Sequence, residues 1–374
     1  MTPPVETGGH GTRIDISVVV TTFRRPRHLL LVLESLSLQE DAGVFEAIVA
    51  DDGSDDGTQD VVAAFAATAP FAVRFTTEPH DGFRLARTRN RAARLACGRY
   101  LVFLDGDCMV PRHHMAAHRS RRRPGAALLG HCAWLPEVGS RGLLPGSLRA
   151  VDLAALAPAA ERRRLGRRHR RSWLQTALRH PTKPRLAGGD FGVWRTDFEL
   201  VNGFDERFVG WGQEDDDLGL RLRAAGIRLD SILDRTRSLH VWHPTDATAP
   251  RRWRDGPNVG YFERRGRLTV CRRGLAHRGP DEILWGLPPD LGATALGRLI
   301  DRRLRRAPRA GPREPCEVDV VIRPGCGTFV RDAECRLLVT APGAASDRAI
   351  HLAADQVAVV DDAADLRHTL DTVG

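Results

Sequence analysis

The chain has 374 residues, a formal net charge of +9, 42% hydrophobic and 28% charged residues, an ordinary globular composition for one catalytic-size domain plus a smaller unit. Among the 56 basic residues the lysine is Lys183, so a phosphate-binding P-loop lysine or a Schiff-base lysine would have to be that residue. The seven cysteines (97, 108, 132, 271, 316, 326 and 335) form no C-x-x-C pair, which argues against a cysteine-built zinc site or a disulfide framework and for a reducing cytoplasm.

In chain order, residues 1–14 are polar with Gly and Pro and have no apolar core behind a basic start, so a flexible tail and no signal peptide are expected. The stretch IDISVVVTT (14–22) is a β-branched strand, and Pro26 opens a helix through Leu29, Leu33 and Leu36. FEAIVADDGS (45–54) is a second strand running into a turn and a helix from about Thr58, and Val73–Thr77 is a third strand before an Arg-rich helix, Arg84–Ala96. YLVFLDGD (100–107) is continuously apolar until its acids, as a strand buried on both faces reads. This alternation predicts a Rossmann-like, mostly parallel α/β sheet with functional groups at the strands' carboxyl ends.

Another strand is expected within 124–135, then an irregular basic insertion over 136–185 with seven arginines between 162 and 171. Regular structure resumes over 186–208, continues through an acidic helix and closes near 237–244. The boundaries are therefore 15–135 for the first half of a large domain, 136–185 for the insertion and 186–270 for the second half. The Arg/Pro/Gly stretch 302–315 reads as a linker within a C-terminal α/β or β-rich appendage, 285–374, that carries no motif. The longest apolar runs are far too short to span a membrane, so any membrane contact is expected to be peripheral.

Asp105-Gly106-Asp107 follows the buried strand directly. In extended chain residues i and i+2 face the same way, so both carboxylates can enter one site, and two hard oxygen donors suit Mg²⁺ or Mn²⁺. His240 and His243 end a later strand-like run, and with Asp107 they offer mixed oxygen and nitrogen ligation, which favours Mn²⁺. Asp51 and Asp52 are either turn formers before Gly53 or a carboxylate edge for a nucleobase or ribose. Phe83 and Arg84 open the Arg-rich helix where a base and a phosphate could be met. In GWGQEDDDLGLRL (210–222) four adjacent acids exceed what helix capping needs and point to a cationic partner or a hydroxyl awaiting deprotonation.

In their order along residues 15–245, VVVTTFRRP, VADDGSDDGT, GFRLARTRNRAA, YLVFLDGDCMVP, the 187–222 block and LHVWHP resemble the inverting family 2 nucleotide-sugar glycosyltransferases of the GT-A fold. The branch is the one that shares its second half with β-1,4-galactosyltransferase and chondroitin polymerase domains. The resemblance implies that Thr22, Arg24, Asp52, Phe83, Arg84, Asp105 and Gly106 surround the nucleotide of a donor, UDP being the expected one, and that Asp107 with His243, and His240 as a further candidate, hold the metal. It implies that Gly188, Gly189 and Asp190 line the sugar pocket, that Trp211 and Gly212 form a wall over donor and acceptor, and that Asp215 is the general base with Glu214 orienting the acceptor hydroxyls. Asp190 stands where the family commonly has asparagine, which leaves the donor sugar open.

A sugar nucleotidyltransferase would open with a Gly-rich basic loop where this chain has TTFRRP. A nucleic-acid binder would leave the acidic clusters unexplained, so no nucleic-acid partner is expected. A catalytically silent nucleotide-sugar or polyanion-binding module would not need Asp107, Asp215 and His243. The basic cluster 161–171 has a second use, contact with anionic headgroups or a phosphorylated lipid-linked acceptor at the inner face of a membrane.

Overall fold

A computed structural model describes residues 13–244, 254–263, 269–312, 314, 316–323, 329, 331, 333–340, 354, 356–360 and 363–373. Nearly all of the expected N-terminal tail, and Cys326, lie outside the described residues. The chain divides into two compact units, Met1–Glu199 with Gly226–Ala249, and Leu200–Ala225 with Pro250–Gly374.

The first unit is built on a seven-stranded sheet. Its strands are β1 (Ile16–Thr22), β2 (Phe45–Asp51), β3 (Ala72–Thr77), β4 (Tyr100–Asp105), β6 (Ala126–Leu129), β8 (Asp190–Trp194) and β9 (Arg228–Ser231), in the order β3-β2-β1-β4-β8-β6-β9. β8 runs antiparallel to β4 and β6, and the other pairings are parallel. Every residue of β1 is buried, because helices cover both faces of the sheet and the β-branched run has no polar face to spare. Helix α1 (Pro26–Ser37) starts at the predicted proline and buries Leu29, Val32, Leu33 and Leu36 against Val18, Val20, Val49 and Val102. Each such side chain contributes roughly 1.5–3 kcal/mol on burial.

Register decides what stands at the sheet's edge. Thr22 pairs with Asp51, and Thr21 pairs with Asp105, so the last residues of β1, β2 and β4 finish level. Helices α2 (Thr58–Ala66) and α3 (Leu85–Leu95) follow as the α/β alternation predicts, and α4 (His114–Arg121) is a helix not expected from the sequence. A small second sheet joins β5 (Cys108–Met109), β7 (Ala133–Trp134) and β10 (Leu239–His240) in the order β5-β10-β7. β10 pairs His240 with Cys108. The mostly parallel, helix-flanked sheet is the α/β architecture that the strand–helix alternation predicted.

The segment expected to be irregular is partly helical. It forms α5 (Glu137–Arg141) and the 19-residue α6 (Ala159–Ala177), the latter opened by Pro158 with Glu161 in its first turn. Ala, Arg, Leu and Gln are strong helix formers, but in α6 only Leu165 and Ser172 are buried, so no apolar stripe announced the helix. After β8, α7 (Arg195–Leu200) ends the first part of the unit.

The second unit contains α8 (Glu214–Ala224) and a four-stranded parallel sheet of β11 (Trp285–Gly286), β12 (Cys316–Arg323), β13 (Ala333–Thr340) and β14 (Gln356–Val359). A separate core of Trp285, Ile300, Val318, Val320, Leu337, Val339 and Leu370 holds this sheet to its helices. The stretch 302–315, which reads as a linker, is packed here instead, because Leu304 and Ala307 are buried in that core. The appendage is thus α/β rather than all-β.

A candidate active site at the strand ends

The pairing of β10 with β5 creates the first cluster. Val241 N donates to Asp107 O at 2.8 Å, which locks the end of β10 to the turn after β4. His243 Nε2 then lies 3.2 Å from Asp107 Oδ2 and His240 Nε2 3.6 Å from Asp107 Oδ1. Arg25 Nη1 donates to Asp107 Oδ2 at 3.0 Å. The indole of Trp134 stacks on His240 with centroids 4.2 Å apart. Burial alone would raise the Asp107 carboxyl, but the hydrogen bond from His243 and the charges of His240, His243 and Arg25 outweigh it and hold it at about 2. Burial lowers His240, favouring the neutral imidazole that a metal needs.

The residues present fit a divalent cation. One carboxylate and two imidazoles bring their ligand atoms within 4.8 Å of one another. A mixed O,N donor set of this kind suits Mn²⁺.

Asp105 has different company. Its Oδ1 accepts from the buried Arg89 Nη2 at 2.9 Å and from Thr21 Oγ1 at 3.3 Å. Gly106 is required by close approach of the chain itself: a Cβ there would lie 2.7 Å from Thr21 O and 3.1 Å from Thr22 Cβ. Gly106 N donates to Thr21 O at 2.7 Å, stitching the turn to β1.

A second group of predicted residues gathers at the ends of β1 and β2. Asp52 N donates to Thr22 O at 3.0 Å, and Asp52 Oδ1 accepts from Thr88 Oγ1 at 3.2 Å. Burial raises the Asp52 carboxyl, with Thr88 and His80 opposing. Its neighbour Asp51 is the turn former, accepting from Gly53 N, Ser54 N and Thr77 Oγ1 at 3.0, 2.8 and 2.8 Å. Arg24, at φ 49°, pairs with Asp55 at 2.8 Å, and Arg84 pairs with Asp81 at 2.7 Å. Phe83 is exposed, while Phe23 and His80 stack at 4.3 Å. Nothing in the sequence signals His80 or Arg25, and Arg89 reads there as part of a solvated helix face; their acidic partners lie 16 to 82 positions away.

Of the expected sugar-pocket residues, Gly189 borders Asp105: a Cβ on it would sit 3.0 Å from Asp105 Oδ2. Gly188 immediately precedes it in the chain. Asp190 is wholly buried, and its carboxylate faces His114 and His118 rather than solvent. Contact with a sugar would therefore fall to the glycines.

The acidic stretch belongs to the second unit. Gly210, Gly212 and Gln213 all have positive φ (82°, 106° and 75°), so the two glycines supply the left-handed turn that starts α8. Trp211 between them is 37% exposed. Among the four acids Asp217 is committed to structure: it is buried and accepts from the buried Arg221 Nε at 2.7 Å, while Arg221 Nη1 donates to Val201 O. Glu214 and Asp216 are also buried, and Asp215 is the more exposed member.

Residues 17–118 match the family Glycosyl transferase family 2, and residues 169–244 match the family described as the N-terminal domain of galactosyltransferase. Over 234 residues the chain is 33% identical to validoxylamine A glucosyltransferase of Streptomyces hygroscopicus subsp. limoneus, covering 57% of this chain and 48% of the relative. It is 23% identical over 236 residues to chondroitin synthase of Escherichia coli, covering 58% of this chain and 33% of the relative. Among solved structures, the mannosyltransferase PcManGT from Pyrobaculum calidifontis in complex with GDP-Man and Mn²⁺ is similar at 21% identity and a TM-score of 0.43, over 59% of this chain and 55% of that one. The chain spans about half the length of the first curated relatives it matches, 48% and 52%.

Proposed function

We propose that this chain, which carries glycosyltransferase sequence over residues 17–118 and 169–244, moves a sugar from a nucleotide-sugar to an acceptor hydroxyl with inversion at the anomeric carbon. The observation that carries the reading is the meeting of Asp107, His240 and His243 at the carboxyl end of the central sheet. These three would hold Mn²⁺ or Mg²⁺. When bound, such an ion offsets the charge of a departing diphosphate. Thr22, Arg24, Asp52, Phe83, Arg84, Asp105 and Gly106 would surround a UDP moiety, with Asp52 accepting from a base or ribose and Phe83 offering an exposed ring.

Gly188 and Gly189 would leave room for the sugar. A sugar hydroxyl is a poor nucleophile, so a base is needed on the face opposite the leaving group. Asp215 is assigned that role, Glu214 orients the acceptor, and Trp211 with Gly212 covers the reacting groups. The acceptor class is a glycan, a lipid-linked sugar or a small molecule; the glucosyltransferase relative, named for validoxylamine A, supports the last. Peripheral contact with the inner face of a membrane through residues 161–171, in a cytoplasmic protein, completes the proposal. Among the described residues no helix is long and apolar enough to cross a membrane.

The test is thermal unfolding against UDP-, GDP- and dTDP-sugars, each with Mn²⁺ and with chelator. A ligand at about 100 times its Kd stabilises by about 2.7 kcal/mol. Stabilisation by one nucleotide family that disappears with chelator is expected; a folded protein indifferent to every donor would remove the reading.

A further inference from the structure

The first unit contains another constellation that the transfer reaction does not use. His114 and His118 stand one turn apart on α4, and Asp190 opens β8; all three side chains are 0% exposed. Each has one polar atom partnered by an uncharged neighbour. His114 Nδ1 meets Thr236 Oγ1 at 2.8 Å, His118 Nδ1 meets Tyr100 OH at 3.4 Å, and Asp190 Oδ2 accepts from Ser238 Oγ at 2.9 Å. The other three atoms, His114 Nε2, His118 Nε2 and Asp190 Oδ1, are buried, make no hydrogen bond and converge within 4.8 Å of one another.

Buried polar atoms without partners cost roughly 1–3 kcal/mol each. An ion pair does not remove that cost. With the proton on Nε2 both histidines would aim an N–H at Asp190 Oδ1, but at 3.4 Å from His114 and 3.9 Å from His118 neither makes a hydrogen bond to it. A divalent cation satisfies all three atoms at once. With metal bonds of about 2.0–2.1 Å, neighbouring ligands of a tetrahedral ion lie roughly 3.4 Å apart; His114–Asp190 has that spacing, and His118–Asp190, at 3.9 Å, would have to close by about 0.5 Å on binding.

The surroundings match metal-site practice. Ligation through Nε2 requires the proton on Nδ1, and Nδ1 of each histidine faces an oxygen able to accept it. The backbone also makes room: a Cβ at Gly192 would lie 2.7 Å from His118 Nδ1, and one at Gly130 would lie 2.3 Å from the Asp190 carboxylate.

We infer that His114, His118 and Asp190 form a buried zinc site, with a water as fourth ligand, that pins α4 to β8 and to the segment leading into β10. Its ligands are distinct from Asp107, His240 and His243. The absence of paired cysteines did not predict it, because its donors are nitrogen and oxygen. The sequence signal was an i, i+4 histidine pair in PRHHMAAHRS, one turn apart on a helix.

The experiment uses the full chain carrying Asp107→Ala, which disables the first cluster, expressed with Zn²⁺ and dialysed against a mild chelator. Elemental analysis is expected to find about one Zn²⁺ per chain, and adding His118→Gln is expected to reduce it at least tenfold while circular dichroism remains that of a folded chain. Because that double variant can fail to fold, Asp107→Ala is also loaded with Co²⁺, where the intense visible bands of four-coordinate cobalt are expected. The inference is overturned if folded Asp107→Ala holds no metal and shows no cobalt bands. It is overturned equally if a folded Asp107→Ala/His118→Gln chain retains the zinc.

Discussion

Asp105 and Asp107 are separated by a single glycine yet meet opposite partners. Buried Arg89 holds the first carboxylate, while the second faces two imidazoles and Arg25. Period-two alternation made both acids legible as a pair, but their division of labour depends on arginines that only the fold brings in. Asp107→Ala is expected to abolish Mn²⁺-dependent donor stabilisation and lower transfer at least about 100-fold, as loss of a metal ligand should exceed the 10–100-fold cost of losing its supporting shell. Asp215→Asn is expected to leave donor binding intact and lower turnover by about 10²–10⁴; unchanged turnover would exclude Asp215 as the base. Glu46 tests residue-level electrostatics away from the site. Buried in β2, it accepts from Ser17 Oγ at 2.6 Å, from Cys97 N at 2.7 Å and from Arg74. Burial raises its carboxyl, and these three partners outweigh that to bring it below its ordinary value of 4.5. Its contribution is thus complete above the unfolded value and disappears as pH falls through the lowered folded one. Glu46→Gln is expected to cost about 2 kcal/mol at pH 7 and to flatten the acid side of the stability profile. Parallel acid limbs in denaturant titrations of the two proteins would refute this.

At the scale of elements, helix α6 shows where periodicity fails as a signal. Strands β1, β2 and β4 were legible because burial on both faces writes a near-continuous apolar run. α6 buries so little that its residues read as a basic loop. What it exposes is informative: Arg162, Arg163, Arg167, Arg170 and Arg171 share its surface with Trp173 and Leu174, which are 64% and 51% exposed. Basic residues beside an exposed tryptophan and leucine are the composition of a helix that lies on an anionic surface. Vesicles containing phosphatidylserine are expected to bring the chain down on sedimentation, and neutral vesicles are not. Replacing the five arginines with serine is expected to weaken binding by several kcal/mol, at about 1 kcal/mol per charge near the surface. Trp173→Ser should weaken it further without changing its salt dependence. Sedimentation that survives the five-arginine variant would end the membrane reading.

For the whole molecule, the two units are differently legible because they are differently written. The first places its motifs at strand ends, so the sheet and the grouping of Asp107 with His240 and His243 could be read. The second interleaves residues 200–225 with 250–374 in one unit, and no local pattern links segments so far apart in sequence. Its core, from Ile283 to Leu370, includes the stretch that reads as a linker, because Leu304 and Ala307 are isolated apolar residues among arginines and prolines. A chain whose two units have separate hydrophobic cores among the described residues has no requirement to unfold in one step. Calorimetry is expected to resolve two transitions with separate sensitivities. Mn²⁺ with a matched nucleotide-sugar should raise the one belonging to the unit that contains Asp107, Asp52 and Thr22. Leu337→Ala, which empties a fully buried position in the other core, should lower the second by about 2–5 kcal/mol and leave the first in place. A single transition moved by both perturbations would show instead that the two cores unfold together, and the acidic helix α8, which lies in the second unit, would then share the ligand's stabilisation.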